Sequence, residues 1–202
     1  YALLGDAGQP AAADRIFELK RRPRAKTLSL VTDPRFWAPF LDQGSPALTR
    51  FPLRSATALY TRLHALGVVY PAHPTDAPGH LVQSGTILNV WSRYRPLIEF
   101  QEACRERGVD ALCGASANPS GQPTYTTAAQ MARGFGDALP IAFAEQADVP
   151  VARRESTSLL DLTGGEPCLL REGNTTEAEV GAASLAVGLG PLAISPDVVR
   201  LR

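Results

Sequence analysis

The stretch that decides the fold is Val109-Asp110-Ala111-Leu112-Cys113-Gly114-Ala115, running directly into Ser116-Ala117-Asn118-Pro119-Ser120-Gly121. The first half is apolar almost throughout, the signature of a strand covered on both faces, as in a sheet flanked by helices. The second half changes abruptly to hydroxyl, amide, proline and glycine residues. A strand that ends this way leaves polar side chains and backbone amides at the edge of a sheet, where open α/β sheets bind ligands. Taken alone, Asn118-Pro119-Ser120-Gly121 also fits an ordinary turn. No Walker motif and no GxGxxG accompanies it.

Working outward, Pro96–Arg107 has the pattern of a helix, with proline in the first turn, Leu97, Phe100 and Cys104 on one face, and Gly108 as its stop. Upstream lie a strand at Thr86–Trp91, a proline-rich loop at Pro71–Gly85, a short strand at Val68–Tyr70 and a helix at Leu53–Leu66. Near the start, Pro10–Arg22 reads as a helix stopped by Pro23. Thr27–Thr32 reads as a strand, and Asp33-Pro34 opens a second helix through Phe40. Downstream follow a threonine-capped helix at Thr126–Arg133, strands at Ile141–Ala144, Ser156–Leu162 and Cys168–Arg171, and a helix at Glu177–Val187. Helices alternating with strands indicate an α/β domain with a partly covered sheet. With no repeat and no linker, residues 1–202 form one domain.

Composition narrows the function. The 202 residues carry 20 Lys plus Arg and 20 Asp plus Glu, for a formal net charge of zero. A protein that grips nucleic acid by overall basicity needs a cationic excess, so any anion site must be local. Three widely spaced cysteines (Cys104, Cys113 and Cys168) without a CxxC pair suit reduced thiols in a cytoplasmic protein. The longest apolar run, Ala182–Ile194, is broken by Gly188, Gly190 and Pro191 and falls short of a membrane span. The chain opens at Tyr1 without methionine, and is expected to lack an upstream strand.

Three constellations can carry chemistry. In Lys20-Arg21-Arg22-Pro23-Arg24-Ala25-Lys26, five of seven residues are cationic where a helix gives way to a strand. Such a cluster suits phosphate or carboxylate groups, or a solvated helix end favoured by the dipole. Ser116–Gly121 is the second. The third is Glu155-Ser156-Thr157-Ser158-Leu159-Leu160-Asp161 with the return segment Leu169-Leu170-Arg171-Glu172-Gly173, a hairpin turning at Thr163-Gly164-Gly165. His73, Asp76 and His80 share a loop without metal-ligand spacing, so no metal site is expected. No GxSxG elbow or cysteine–histidine arrangement supports a protein nucleophile.

In this order the three segments resemble the YrdC family of threonylcarbamoyl-AMP synthases. The matching motifs are Tyr1-Ala2-Leu3, the helix ending Lys20-Arg21-Arg22-Pro23, Lys26-Thr27-Leu28-Ser29-Leu30, Ser116–Gly121, Ser156-Thr157-Ser158-Leu159-Leu160-Asp161-Leu162 and Leu170-Arg171-Glu172-Gly173. The resemblance covers about residues 1–35 and 109–175. It implies a twisted mixed β-sheet flanked by helices around a large open cavity. It implies a nucleotidyltransferase that condenses L-threonine, bicarbonate and ATP to threonylcarbamoyl-adenylate with release of pyrophosphate, feeding modification of an adenosine beside the tRNA anticodon. By resemblance Lys20 and Arg22 would be catalytic, while Lys26, Pro23, Ser116, Asn118, Ser156 and Arg171 would bind the nucleotide. Mg2+ would accompany ATP, held by phosphates and water. Partners would be ATP, L-threonine and bicarbonate, then RNA or tRNA-modification proteins, with no membrane.

The chain also departs from the family pattern. Tyr1-Ala2-Leu3-Leu4-Gly5 stands where the family has Tyr-Gly-Leu-Gly-Cys, and Thr27 replaces a proline. Residues 45–90 lack a Pro-Gly-Pro segment, and the family arginine before the central helix falls near Trp91 or Arg93. Two alternatives stay open: a related enzyme adenylating a different carbamoyl donor, and a non-catalytic nucleotide- or RNA-binding module of the same fold.

Overall fold

The computed structural model describes residues 1–136, 139 and 156–200. Its strands are β1 (Ala2–Asp6), β2 (Ser29–Val31), β3 (Ala65–Pro71), β4 (Val82–Gln83), β5 (Thr86–Ser92), β6 (Leu112–Ser116), β7 (Leu159–Asp161), β8 (Cys168–Glu172) and β9 (Ala193–Arg200). They form one mixed sheet in the order β1-β6-β2-β5-β3-β7-β8-β9, with β4 paired to β5. The helices are α1 (Pro10–Lys20), α2 (Pro46–Arg50), α3 (Leu53–Arg62), α4 (Arg95–Arg105), α5 (Ala128–Phe135) and α6 (Glu177–Ala186). The α/β architecture expected from the sequence, a large mixed sheet flanked by helices, is what forms.

Strand alternation sorts the sheet into two faces. Leu30, Cys113, Leu66, Val68, Tyr70, Ile87, Asn89 and Trp91 fall on one face by register and are buried. Helix α1 covers the β1 end of this face so closely that a Cβ on Gly5 would sit 3.1 Å from Ala12 Cβ. Farther along the same layer, Trp37 packs edge-on against Tyr60 with ring centroids 5.5 Å apart. The opposite, more open face carries Leu4, Val69, Leu88, Val90 and Leu159, all half-buried. Gly67 lies among them, and a Cβ there would overlap Leu159 and reach within 3.1 Å of Leu88 Cδ1.

Several local expectations are corrected. Asp33–Phe40 is not a helix but two 3-10 turns, Pro34–Phe36 and Ala38–Phe40. Pro39 supplies no N–H to continue an α-helical ladder, and Asp33 caps the first turn by accepting from the Arg35 amide at 2.9 Å. Helix α3 stops at Arg62, four residues before Leu66, because Ala65 already pairs with Ser92 in β3. On helix α4 the expected Leu97 and Cys104 are half-buried, but the buried residue between them is Gln101, which donates to Val31 O at 3.2 Å, whereas Phe100 is exposed. Ile98 and Arg105 are half-buried beside Gln101 as well, with the Arg105 guanidinium over the Phe36 ring at 4.2 Å. Strands β1, β4 and β9 had no sequence signal, and β9 tolerates Pro196 because it is an edge strand. The strand expected at Ile141–Ala144 lies outside the described residues. Among the described residues no helix is long and apolar enough to cross a membrane.

The β7–β8 hairpin forms as expected, with Leu160 opposite Leu169 and Asp161 opposite Cys168. It closes on Gly173, where a Cβ would overlap Ser156 O and lie 3.0 Å from the Ser156 carbonyl carbon. Both obstacles are backbone and cannot swing away. Gly173→Ala is therefore expected to cost about 3 kcal/mol or more, in the range where strain and lost networks place severe mutants. Gly165→Ala, whose nearest neighbour would be Arg50 Nη1 at 3.8 Å, should unfold at the wild-type denaturant midpoint. Equal midpoints for the two variants would refute this account of the hairpin.

Candidate functional site

Pairing geometry gathers the first two constellations at one end of the sheet. Strand β6 finishes at Ser116 opposite Ala2, and β2 runs antiparallel to β6, so residues 26–28 enter beside the same end. Helix α1 delivers Lys20 there from the covered face. The link between them is a buried ammonium. Lys20 Nζ donates to Ser116 O, to Asn118 O at 2.7 Å and to Asn118 Oδ1 at 3.0 Å. In return Ser120 N donates to Lys20 O at 2.8 Å. Ser116 Oγ donates to Asn118 Oδ1 at 2.6 Å, and Asn118 Nδ2 donates to Gln122 O. The N-terminal edge joins in, with Ala117 N donating to Tyr1 O and Tyr125 N to Ala117 O, both at 3.0 Å.

The five cations between Lys20 and Lys26 divide by role. Lys20 is only 1% exposed and gives its three protons to protein oxygens. Arg21 adopts a left-handed conformation with φ of 48° and caps α1. Arg22 folds back, donating from Nε to Lys26 O at 3.1 Å and from Nη2 to Thr27 O at 2.7 Å. Arg24 turns away to pair with Asp14 and lies over the Phe17 ring at 4.6 Å. Lys26 is exposed, and among the described residues its ammonium has no hydrogen-bond partner. Pro23 forms the turn between Arg22 and Lys26, its carbonyl accepting from Lys26 N at 2.9 Å. Burial, then the neighbouring Arg22 charge, pushes the Lys20 pKa down to about 8, and burial also lowers that of Arg22.

Ser156 and Arg171 stand apart. Strand β7 is parallel to β3, and β3 is antiparallel to β5, so the start of β7 and the end of β8 lie at the opposite end of the strands from Ser116. Arg171 pairs with Leu159 on the open face and spends Nε and Nη2 on Thr157 O at 2.9 and 2.6 Å. The sequence did not single out Ser158 within its segment. Its buried hydroxyl donates to Thr175 O at 2.5 Å and accepts from the Gly173 and Thr175 amides at 2.9 and 3.1 Å. That knot fixes the backbone to which Arg171 is tied. Trp91 and Arg93 join neither group. They line a separate pocket of about 250 Å³ with Asp33, Arg35, Thr57 and Tyr60, and Arg93 donates to Thr61 O.

Larger residues at the start of the chain are accommodated by small ones opposite. Leu4 pairs with Gly114, where a Cβ would come within 2.9 Å of Leu3 O. Leucine thus occupies the open face beside Ser116. Among the described residues no group of three His, Cys, Asp or Glu side chains could hold a metal ion. His80 turns inward, its Nε2 buried without a partner.

A family profile described as Sua5/yciO/yrdC, telomere recombination, matches residues 1–173. The chain belongs to this family. Its fold is similar to that of P. abyssi Sua5 complexed with L-threonine, with a TM-score of 0.75 and 21% identity over 97% of this chain and 53% of that one. It is also similar to E. coli YciO (TM-score 0.61, 17% identity, covering 86% of this chain and 78% of that chain). A third similar fold is that of full-length HypF in its phosphate- and nucleotide-bound form (TM-score 0.58, 16% identity, covering 84% of this chain and 25% of that chain). At these identities the likeness establishes the fold. This chain spans about half the length of the Sua5 protein it matches. No curated protein sequence matches it.

The Lys20 geometry has a stability consequence. In the unfolded chain lysine holds its proton to about pH 10.5, whereas folded Lys20 releases it near 8. Between those values the unfolded state binds more protons, so this group makes stability rise with pH, by at most about 1.4 kcal/mol per pH unit. Denaturant titrations from pH 7.5 to 9.5 should show this rise in the wild type and its loss in Lys20→Met. A wild-type slope equal to that of the variant would contradict it.

Proposed function

We propose that this chain catalyses ATP-dependent formation of L-threonylcarbamoyl-adenylate for the threonylcarbamoyladenosine modification of tRNA. The observation that carries the proposal is the union of Lys20, Ser116 and Asn118 in one network, with Lys20 and Asn118 buried and Arg22 and Lys26 beside it. These are the cations, hydroxyl and amide of two distant motifs. Membership of the Sua5/YciO/YrdC family and the fold shared with a Sua5 that binds L-threonine support it.

The chemistry fits such a site. The threonine amine and bicarbonate combine to a carbamate with loss of water. A carbamate oxygen then attacks the α-phosphorus of ATP, and the α–β phosphoanhydride bond breaks to release pyrophosphate. No protein nucleophile is needed. The work is to align two anions and to stabilise charge as the leaving group departs. Arg22 and Lys26 would hold the phosphates, with Ser116 and Asn118 shaping the turn against which they lie. Magnesium would arrive with ATP, held by phosphate oxygens and water. Arg171 and Ser156, at the other end of the strands, would take the nucleoside end of an extended ligand laid across the open face.

Pyrophosphate release measured with ATP, bicarbonate and L-threonine tests the proposal. Threonine-dependent release is expected, and Arg22→Ala should lower kcat/KM by about 100-fold, the usual cost of losing one preorganised charge-stabilising donor. Release that requires carbamoyl phosphate and ignores threonine would instead identify an enzyme using another carbamoyl donor, a reading the leucine at position 4 favours. No release together with no ATP binding would overturn both.

A further inference from the structure

We infer that Lys20 is a positioning residue, a latch that holds the Ser116–Asn118 turn in its ligand-ready shape and leaves the phosphates to other groups. The inference rests on the nucleotide-binding reading above and names the division of labour within that site. It follows from donor arithmetic. An ammonium has three protons, and those of Lys20 are given to Ser116 O, Asn118 O and Asn118 Oδ1. With 1% exposure the side chain has no open side from which to meet a phosphate. Ser116 O also accepts from Asn118 N at 3.1 Å and Asn118 Oδ1 from the Ser116 hydroxyl, but among the described residues Asn118 O has Lys20 as its one donor, and a Lys20 that left it for a phosphate would leave a buried acceptor unsatisfied.

The same bonds explain why the turn keeps its shape. Ser116 and Asn118, on either side of Ala117, point their carbonyl oxygens inward at one cation, and Asn118 Oδ1 is held there by both Lys20 and the Ser116 hydroxyl. Ser120 N closes the loop back onto Lys20 O. With its carbonyls turned inward, the turn presents other groups outward. Among the described residues, the Ser120 hydroxyl, the Gly121 amide, Arg22 Nη1 and the Lys26 ammonium have no hydrogen-bond partner. These four are the phosphate contacts the geometry points to, and Gly121 at φ of 84° is where a turn can offer its amide outward. The charged group acting on Lys20 is Arg22, which lowers its proton affinity together with burial. The latch therefore loosens as pH rises through about 8.

Carbonyl-detected NMR of the nucleotide-free protein separates a latch from a phosphate contact. In the wild type the Ser116 and Asn118 carbonyl carbons should shift together between pH 6.5 and 9.5, with a midpoint near 8. In Lys20→Met they should already sit at their high-pH positions at pH 7. Lys20→Arg, whose guanidinium stays charged throughout this range, should keep both carbonyls near their low-pH positions at every pH, and should restore part of the roughly 100-fold loss in kcat/KM expected when a supporting residue is removed. Carbonyls that stay flat across the range in the wild type would overturn the inference, even if Lys20→Met fails to fold. So would a Lys20→Met protein with wild-type carbonyl positions at pH 7 and weakened ATP binding only, which is the signature of direct phosphate contact. Because these shifts are read without nucleotide, they stand or fall separately from ATP turnover.

Discussion

The buried ammonium of Lys20 is the constraint on which the arrangement depends. It ties the end of α1 to the end of β6, two elements 96 residues apart in the chain. An isolated buried charge is costly, and this one is tolerated because two carbonyls and an amide oxygen surround it. Once it is placed, the rest follows. Pro23 and the Arg22 bonds to Lys26 and Thr27 fold the basic segment back, and β2 enters beside β6 with Ser29 opposite Gly114.

The same constraint changes the meaning of the charge cluster. Five cations in seven residues look like one anion pocket, yet the fold assigns them different work. Lys20 is bonded to Ser116 O and to Asn118, Arg21 caps a helix, Arg24 pairs with Asp14, and Arg22 and Lys26 remain beside that turn. A neutral chain thus gathers local positive potential through two well-placed cations rather than a basic surface. On the open face, the apolar row Leu4, Val69, Leu88, Val90 and Leu159 separates this cationic end from Arg171. The face has the polarity pattern of a ligand charged at one end and planar or apolar across its middle.

Much of this was legible in the sequence, for identifiable reasons. Apolar β6 running into Ser116–Gly121 announced a strand ending at a site, and Pro10, Pro23 and Gly108 marked helix boundaries correctly to within a few residues. On α4 apolarity points to Leu97, Phe100 and Cys104; Leu97 and Cys104 are half-buried, but Gln101 takes the buried position through its bond to Val31 O while Phe100 is exposed. Strand β1 (Ala2-Leu3-Leu4-Gly5-Asp6) has neither polar alternation nor a β-branched or aromatic residue to mark it, and β9 is interrupted by Pro196. In the candidate site, residue types pointed to the segments that come together but not to the allocation of donors. That allocation is set by which carbonyls reach Lys20, a tertiary property. The opposite placement of Ser156 and Arg171 likewise depends on β7 lying parallel to β3, which no local motif records.

A crystal structure of this protein with a non-hydrolysable ATP analogue and L-threonine tests the central claim most directly. The account predicts phosphate oxygens within hydrogen-bond distance of Arg22, Lys26, Ser120 and Gly121. It predicts Lys20 still bonded to Ser116 O and Asn118, with the nucleoside extending over the leucine row toward Arg171. Phosphates bonded directly to a released Lys20, or a nucleotide bound away from the Ser116–Gly121 turn, would contradict it.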